Sequence, residues 1–238
     1  MLTVRFETLG VIPGDRVLDL GCGFGRHGYE AARRGANVVE LDYAEAELKE
    51  VRNTFYAMHD AGELLFERCQ GTVRSDGHNL PFHNATFDRI IASEVMEHVR
   101  DDITAMNEMA RVLRPGGTIA VTVPAFGPER ICWALSDEYH APHVRGGHVR
   151  IYTRAEVRNR MLSAGLRPFS HHRTHALHAP YWWLRCAVGP ANDTHPAVVH
   201  FRRLLEHEIT NQPKSMLMVE KVLAPLLGKS LVVYAMKP

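Results

Sequence analysis

Residues Val17–Gly25 read Val-Leu-Asp-Leu-Gly-Cys-Gly-Phe-Gly, an apolar run closed by three alternating glycines. The stretch Arg26–Arg34 that follows has helical composition, and Gly35 is placed to end it. A buried strand, a turn without side chains and a helix start bring free backbone N–H groups close to a ligand. The pattern predicts a nucleotide-like ligand. It leaves the nucleotide open, because Gly23-Phe24-Gly25-Arg26-His27-Gly28 also satisfies GxGxxG, the weak fingerprint of dinucleotide enzymes.

The rest of the chain repeats the alternation. Strands are predicted at Asn37–Asp42, Glu67–Arg74, Phe87–Ala92 and Thr118–Val123, with helices at Ala44–Met58 and Asp101–Leu113. Arg114-Pro115-Gly116-Gly117 stops the second of these helices. Thr153 to Ala164 reads as a helix with Thr153 as N-cap, and Leu166–His172 and Ser230–Met236 as the sixth and seventh strands. This order predicts an α/β, Rossmann-like fold with a seven-stranded, mostly parallel sheet flanked by helices. Residues 1–174 and 229–238 then form the core, with 124–152 as an active-site loop or lid. Three short helices around Tyr181–Val188, His195–Thr210 and Lys214–Leu227 fill 175–228, too long for an ordinary connection, so a helical substrate cap is expected before the last strand.

Bulk properties narrow the partners. A formal net charge of +1 gives no electrostatic footprint for nucleic acid or an anionic membrane. No apolar run approaches the ~18 residues of a membrane span, and the N-terminus has no signal-peptide pattern. The four cysteines are scattered without a CxxC pair, the usage of reduced thiols in a cytoplasmic protein. A small-molecule acceptor, and a monomer or homodimer, are the expected partners.

Four further blocks refine the ligand. Asp19 directly precedes the glycines, and Asp42 follows about twenty residues on, at a strand end where it can accept from ribose hydroxyls. Then come Ser75-Asp76-Gly77-His78-Asn79-Leu80-Pro81-Phe82, Ser93-Glu94-Val95-Met96-Glu97-His98-Val99 and Arg111-Val112-Leu113-Arg114-Pro115-Gly116-Gly117. In this order and spacing the chain resembles the class I S-adenosylmethionine-dependent methyltransferases, in particular the small-molecule subgroup that includes quinone-biosynthesis enzymes. The resemblance covers roughly residues 10–172 and the last strand. It implies that Asp19 and the turn Gly21, Cys22, Gly23 and Gly25 line the methionyl part of the cofactor, with Arg26 near its carboxylate. It implies further that Asp42 holds the ribose, Tyr43 covers an adenine face, and Asp76 and Gly77 meet the adenine edge. Ser93, Glu94 and His98 would wall the methionyl chain and methyl group, with Glu94 also on the catalytic side.

The sulfonium methyl is a strong electrophile, so such an enzyme mainly aligns the acceptor and excludes water. A hydroxyl acceptor also needs a base, and histidine suits neutral pH. Ten of fifteen histidines lie between His140 and His207, and the stretch Trp133–Arg150 emerges where acceptors bind in open parallel sheets. O-methylation of a small molecule is therefore expected, a saccharide or glycosylated metabolite first, with His140 or His143 as base and Trp133 and Tyr139 as walls. For Gly147-His148-Val149-Arg150 before the Tyr-Thr helix start, the resemblance implies a loop-closing element, and so a structural role for His148. A Mg²⁺ ion acidifying a sugar diol is a competing possibility, although no carboxylate pair has a diagnostic spacing for a metal. The alternatives are C-methylation of a quinone or isoprenoid precursor and, from another class, a catalytically silent cofactor-binding scaffold.

Overall fold

The computed structural model describes residues 2–65, 68–144 and 146–238. Its strands are β1 (Arg16–Leu20), β2 (Asn37–Asp42), β3 (Cys69–Arg74), β4 (Phe87–Ser93), β5 (Leu113–Pro124), β6 (Arg167–Thr174) and β7 (Ser230–Met236). They form one sheet in the order β3-β2-β1-β4-β5-β7-β6, parallel except for β7, which runs antiparallel to both of its neighbours. The chain order reverses between β1 and β4, so the carboxyl ends of these two strands flank the crevice where α/β sheets take ligands.

The helices are α1 (Phe6–Leu9), α2 (Arg26–Arg33), α3 (Glu45–Asp60), α4 (Asp102–Val112), α5 (Phe126–Leu135), α6 (Arg154–Ser163), α7 (His178–Val188), α8 (Pro196–Asn211) and α9 (Lys214–Leu227). Strand alternation divides the core. Leu18, Ile90, Ile119 and Val121 face one layer with Met106, Met109 and Tyr152, whereas Val17, Ile91, Ala120 and Tyr234 face the other with Phe6, Leu9 and Leu48. A separate small cluster of Tyr181, Val198 and Leu205 joins α7 to α8.

Local signals fix several boundaries. Asp101 caps α4 by accepting from the Thr104 N–H, and Thr153 and Glu156 form a reciprocal capping box at α6. Three expectations need correction. Arg114–Gly117 follows the end of α4 but is not a free stop signal: β5 starts at Leu113, and the Gly116 and Lys237 N–H groups bond to the Lys237 and Gly117 carbonyls, tying this segment to the residue after β7. Residues 124–152 are not a loop throughout, since α5 lies within them and packs on α7. The cap helix α7 starts three residues before Tyr181. Of the third predicted strand, Glu67 lies outside the described residues. All four cysteines are free thiols, and no helix among the described residues is long and apolar enough to cross a membrane.

Two buried histidines each make an acid-sensitive contribution to the stability of the fold. The Nε2 of His27, 2 % exposed, accepts from the Thr3 N–H, and burial beside Arg26 pushes its pKa down to about 3. Burial and His178 push His175 to about 3 as well. Both folded values lie below the unfolded value, so the unfolded chain binds more protons once the pH falls below about 6.5. The contribution of each is full near pH 7 and declines as the pH falls toward 3, by roughly 1.4 kcal/mol per pH unit at most. His172 and His178, lowered to about 4, act in the same direction, whereas the raised acids Asp19, Glu40 and Glu97 act in the opposite one. Urea unfolding of the parent and of His27→Gln at pH 7 and pH 5 isolates one contribution: the parent should lose more stability, or gain less, than the variant over this range. An equal change in the two proteins would contradict the account.

Candidate active site

The glycine turn is built by backbone geometry that side chains oppose. Gly21, Gly23 and Gly25 have φ of +68°, +52° and +75°. A Cβ on Gly21 would stand 2.2 Å from a methyl of Val95, and one on Gly25 would stand 2.7 Å from the Tyr29 ring. The Gly21 and Cys22 N–H groups bond to the Leu41 carbonyl, which ties the turn to the end of β2. Asp42 completes the tie: one carboxylate oxygen accepts from Gly23 N–H and the other from Ala44 N–H, each at 2.9 Å. Gly25 has no side chain with which to cap α2, and of the first-turn donors the Gly28 N–H is taken by the Asp19 carboxylate.

A cavity of about 560 Å³ opens over this turn. Of the residues expected to hold a cofactor, its wall contains Gly21, Gly23, Asp42, Tyr43, Asp76, Gly77, Glu94 and His98. Tyr43 is 68 % exposed, with the Arg74 guanidinium 5.4 Å over its ring. The Asp76 carboxylate accepts from its own turn at His78 N–H. Met96, Val99 and Ala105 supply an apolar side. An acid at a strand end, an amide-lined turn and an apolar slot fit a ribose, an amino-acid chain and an adenine.

Five expected residues do not form this wall. Asp19 is 1 % exposed beneath the turn, on the same strand face as Val17, and accepts from Gly28 N–H. Burial raises its pKa to about 7. Its neighbour across the sheet, Glu40, is fully buried, and burial beside Asp19 raises its pKa well above the carboxylate range. Gly28 permits this pair, because a Cβ there would lie 1.6 Å from a Glu40 oxygen. Cys22 packs in the core, and burial with Glu40 nearby pushes its thiol pKa far up, which removes it as a nucleophile. Gly25 caps α2. Arg26 donates to Thr3 and Ser93 hydroxyls, and Ser93 is itself bonded to Thr122.

Beyond β4 lies a set of ionisable side chains. Glu94 has φ +57°, a strained value for a residue with a side chain, and Thr122 holds it there by donating to its carboxylate at 2.7 Å and accepting from its N–H. Glu97 is 1 % exposed, and neither carboxylate oxygen has a hydrogen-bond partner among the described residues. Burial and the Glu94 charge raise its pKa well above the ordinary range. Burial and His148 lower that of His98. The His148 ring stands edge-on to His98 at 4.8 Å and to Tyr139 at 5.4 Å.

His148 donates from Nδ1 to Glu129 at 2.5 Å. Glu129 also accepts from the Trp133 indole at 2.9 Å and the Tyr139 hydroxyl at 3.4 Å. Burial works to raise its pKa, yet the His148 bond and charge outweigh it and hold Glu129 below the ordinary value. A buried carboxylate that orients an imidazole through Nδ1 leaves Nε2 to take a proton. Of the two expected bases, the His140 ring stacks flat on Trp133 at 4.0 Å, with its Nδ1 2.9 Å from the Ala141 carbonyl, and its backbone pairs with that of His148. His143 lies against His140; none of the three histidines is among the described residues of the cavity wall, and His148 reaches that wall through His98.

Glu129, Glu97 and Glu40 are not among the residues that the sequence assigns to the site. Glu129 has a readable signal, the one acid of α5, four residues before Trp133 and so on the same helix face. Its bond to His148, nineteen residues on, is a tertiary contact. As for metals, ligand atoms of Glu97, His98 and His148 lie within 4.8 Å of one another. Two imidazoles in the set depart from the all-oxygen shell that Mg²⁺ prefers.

The doubly wound sheet with its glycine turn at the β1 end is a Rossmann-like methyltransferase fold. The methyltransferase-domain family model matches residues 18–121. Over those residues, a little under half of its length, the chain is similar to the methyltransferase-domain family, and it has the fold of class I S-adenosylmethionine-dependent methyltransferases. It is 38 % identical over 117 residues to the methyltransferase GfsG of Streptomyces halstedii, covering 49 % of this chain and 40 % of that protein. It is 30 % identical over 129 residues to a ubiquinone biosynthesis O-methyltransferase of Alkalilimnicola ehrlichii, covering 54 % and 49 %. The chain thus spans half or less of these curated relatives. A solved geranyl diphosphate methyltransferase in complex with S-adenosylmethionine superposes with a TM-score of 0.62 at 16 % identity, over 98 % of this chain and 82 % of that one, a likeness of fold.

Proposed function

We propose that this protein methylates a hydroxyl oxygen of a small molecule, with His148 as general base and Glu129 as the group that orients it. The observation that carries this reading is the Glu129–His148 bond beside His98, a residue of the cofactor cavity wall. S-adenosylmethionine supplies a sulfonium methyl when bound, with Asp42 on its ribose and the Gly21–Gly25 turn at its methionyl end. The hydroxyl proton passes to His148 Nε2 as the new O–CH₃ bond forms and the S–CH₃ bond breaks, and Glu129 stabilises the resulting imidazolium. Asp19 acts from beneath as a support of the turn rather than as a cofactor contact.

The acceptor side is walled by Tyr139 and by Trp182, whose rings are 5.8 Å apart, with the Lys229 ammonium 5.2 Å over Trp182. Aromatic faces beside polar groups suit a saccharide or glycosylated metabolite. In this reading the α7–α9 segment is the substrate cap. The relative named as a ubiquinone biosynthesis O-methyltransferase supports oxygen as the acceptor atom. A second reading rests on the Glu97, His98 and His148 grouping: a divalent ion there would acidify the hydroxyl in place of a base.

Radiolabelled S-adenosylmethionine incubated with fractionated cell metabolites should transfer label to a hydroxylated product in the presence of chelator. Asp42→Ala should weaken cofactor binding by ~10- to 100-fold, the loss of a charge-assisted pair of hydrogen bonds. Tight cofactor binding with no labelled product would favour a silent scaffold, and activity lost to chelator would favour the metal reading.

A further inference from the structure

The free edge of the sheet carries a second cavity, of about 760 Å³, enclosed by β6, α9, the start of α6 and Arg5. Four permanently charged side chains from four parts of the chain converge on it: Arg5, Arg154, Arg173 and Lys221. Glu220 is the one acid in its described wall, and both of its oxygens are occupied, accepting from the Ala176 and Leu177 N–H groups. Arg5 and Lys221 are exposed and have no carboxylate partner among the described residues. Arg173 rests one nitrogen on the Pro225 and Leu226 carbonyls, which leaves its other donors to the cavity. A smaller cavity of about 400 Å³ adjoins it, sharing Arg154 and His171 and adding Arg158.

Charge along an edge strand is an ordinary device against sheet-to-sheet pairing. That accounts for cations on β6. It does not account for Arg5, from before α1, and Lys221, from α9, meeting those cations around one space whose described wall holds a single acid, Glu220. In a chain whose formal net charge is +1, this is a strong local concentration. The field also acts on the wall itself: burial and the Arg5 charge push the pKa of His172 down to about 4. The floor is apolar, with Leu217, Ala224 and Leu231, so it can take the carbon body of a ligand as well as its charge.

We infer that this cavity binds a phosphate-bearing ligand, separately from the glycine-turn site, through Arg5, Arg173 and Lys221. Guanidinium forks and an ammonium match phosphate oxygens in geometry, and several fixed cations favour a multiply charged group over a single carboxylate. The volume lies within the ordinary range of small-ligand sites.

The probe is inorganic pyrophosphate, titrated calorimetrically into the full-length chain at low salt. One site per chain is expected, weakened about tenfold by Arg5→Ala or by Lys221→Ala and more by both together, and weakened again by added salt. Circular dichroism and S-adenosylmethionine affinity should be unchanged in these variants, which separates this site from the proposed methyl-transfer site. A parallel arm uses vesicles of phosphatidylglycerol and phosphatidylcholine. Retention that pyrophosphate competes away, and that the double variant loses, identifies a lipid headgroup as the source. Pyrophosphate binding without retention identifies a soluble phosphate ester. Pyrophosphate affinity unchanged in the double variant, or neither binding nor retention, overturns the inference.

Discussion

His148→Ala should lower methyl-transfer turnover by ~10²- to 10⁴-fold, the range for removing a positioned general base. Cofactor affinity should change little, because Asp42, Asp76 and the glycine turn are untouched. Glu129→Gln should approach the same loss. An amide in that place can still contact the imidazole, but it supplies no charge to stabilise the imidazolium and can select the wrong tautomer. His140→Ala and His143→Ala should stay within a few-fold of the parent enzyme, since the His140 ring is committed to Trp133 and the Ala141 carbonyl. A turnover assay at saturating cofactor decides the matter. Normal turnover in His148→Ala with an inactive His140→Ala would return the base to the residue that the sequence favoured.

The second large effect belongs to the turn. Gly21→Ala should weaken S-adenosylmethionine binding by ~100-fold or more and lower the melting temperature. Two costs combine. An alanine at φ +68° pays roughly 1–2 kcal/mol of backbone strain. Its Cβ would also lie 2.2 Å from a methyl of Val95, so Val95 must move, and Val95 is part of the cavity wall. Strain in the empty protein and distortion of the site thus arise from one methyl group. Equilibrium dialysis with labelled cofactor measures the first loss and thermal unfolding the second. A variant with parental affinity would show that the turn has more freedom than its geometry implies.

The contrast between these two variants follows how the site is encoded. Gly21, Gly23, Asp42, Asp76 and Gly77 lie on short contiguous blocks in which strand, turn and helix are each specified locally. Their common placement then follows from parallel pairing, with β1 beside β2. The misplaced residues fail for a reason of period. Asp19 alternates to the strand face that α2 covers, and a linear motif does not show whether an acid beside a glycine turn points into the cavity or under it. Cys22 is turned into the core by the same backbone that exposes Gly21 and Gly23.

The acceptor side was less legible because its pairs are made by packing. Glu129 meets His148 by a tertiary contact, and Glu97 joins them from the segment after β4, so no spacing rule links the three. The basic cavity at the sheet edge is a stronger case, since Arg5, Arg173 and Lys221 are far apart in a sequence of almost balanced charge. The sequence by itself determined the alternating α/β architecture and the place of the donor site, because both rest on hydrophobic period and backbone-permissive glycines, which are local. The tertiary structure decided which histidine has a buried carboxylate behind it and where the unneutralised cations gather. Burial and electrostatic partnership are properties of distance in space, and distance along the chain does not contain them.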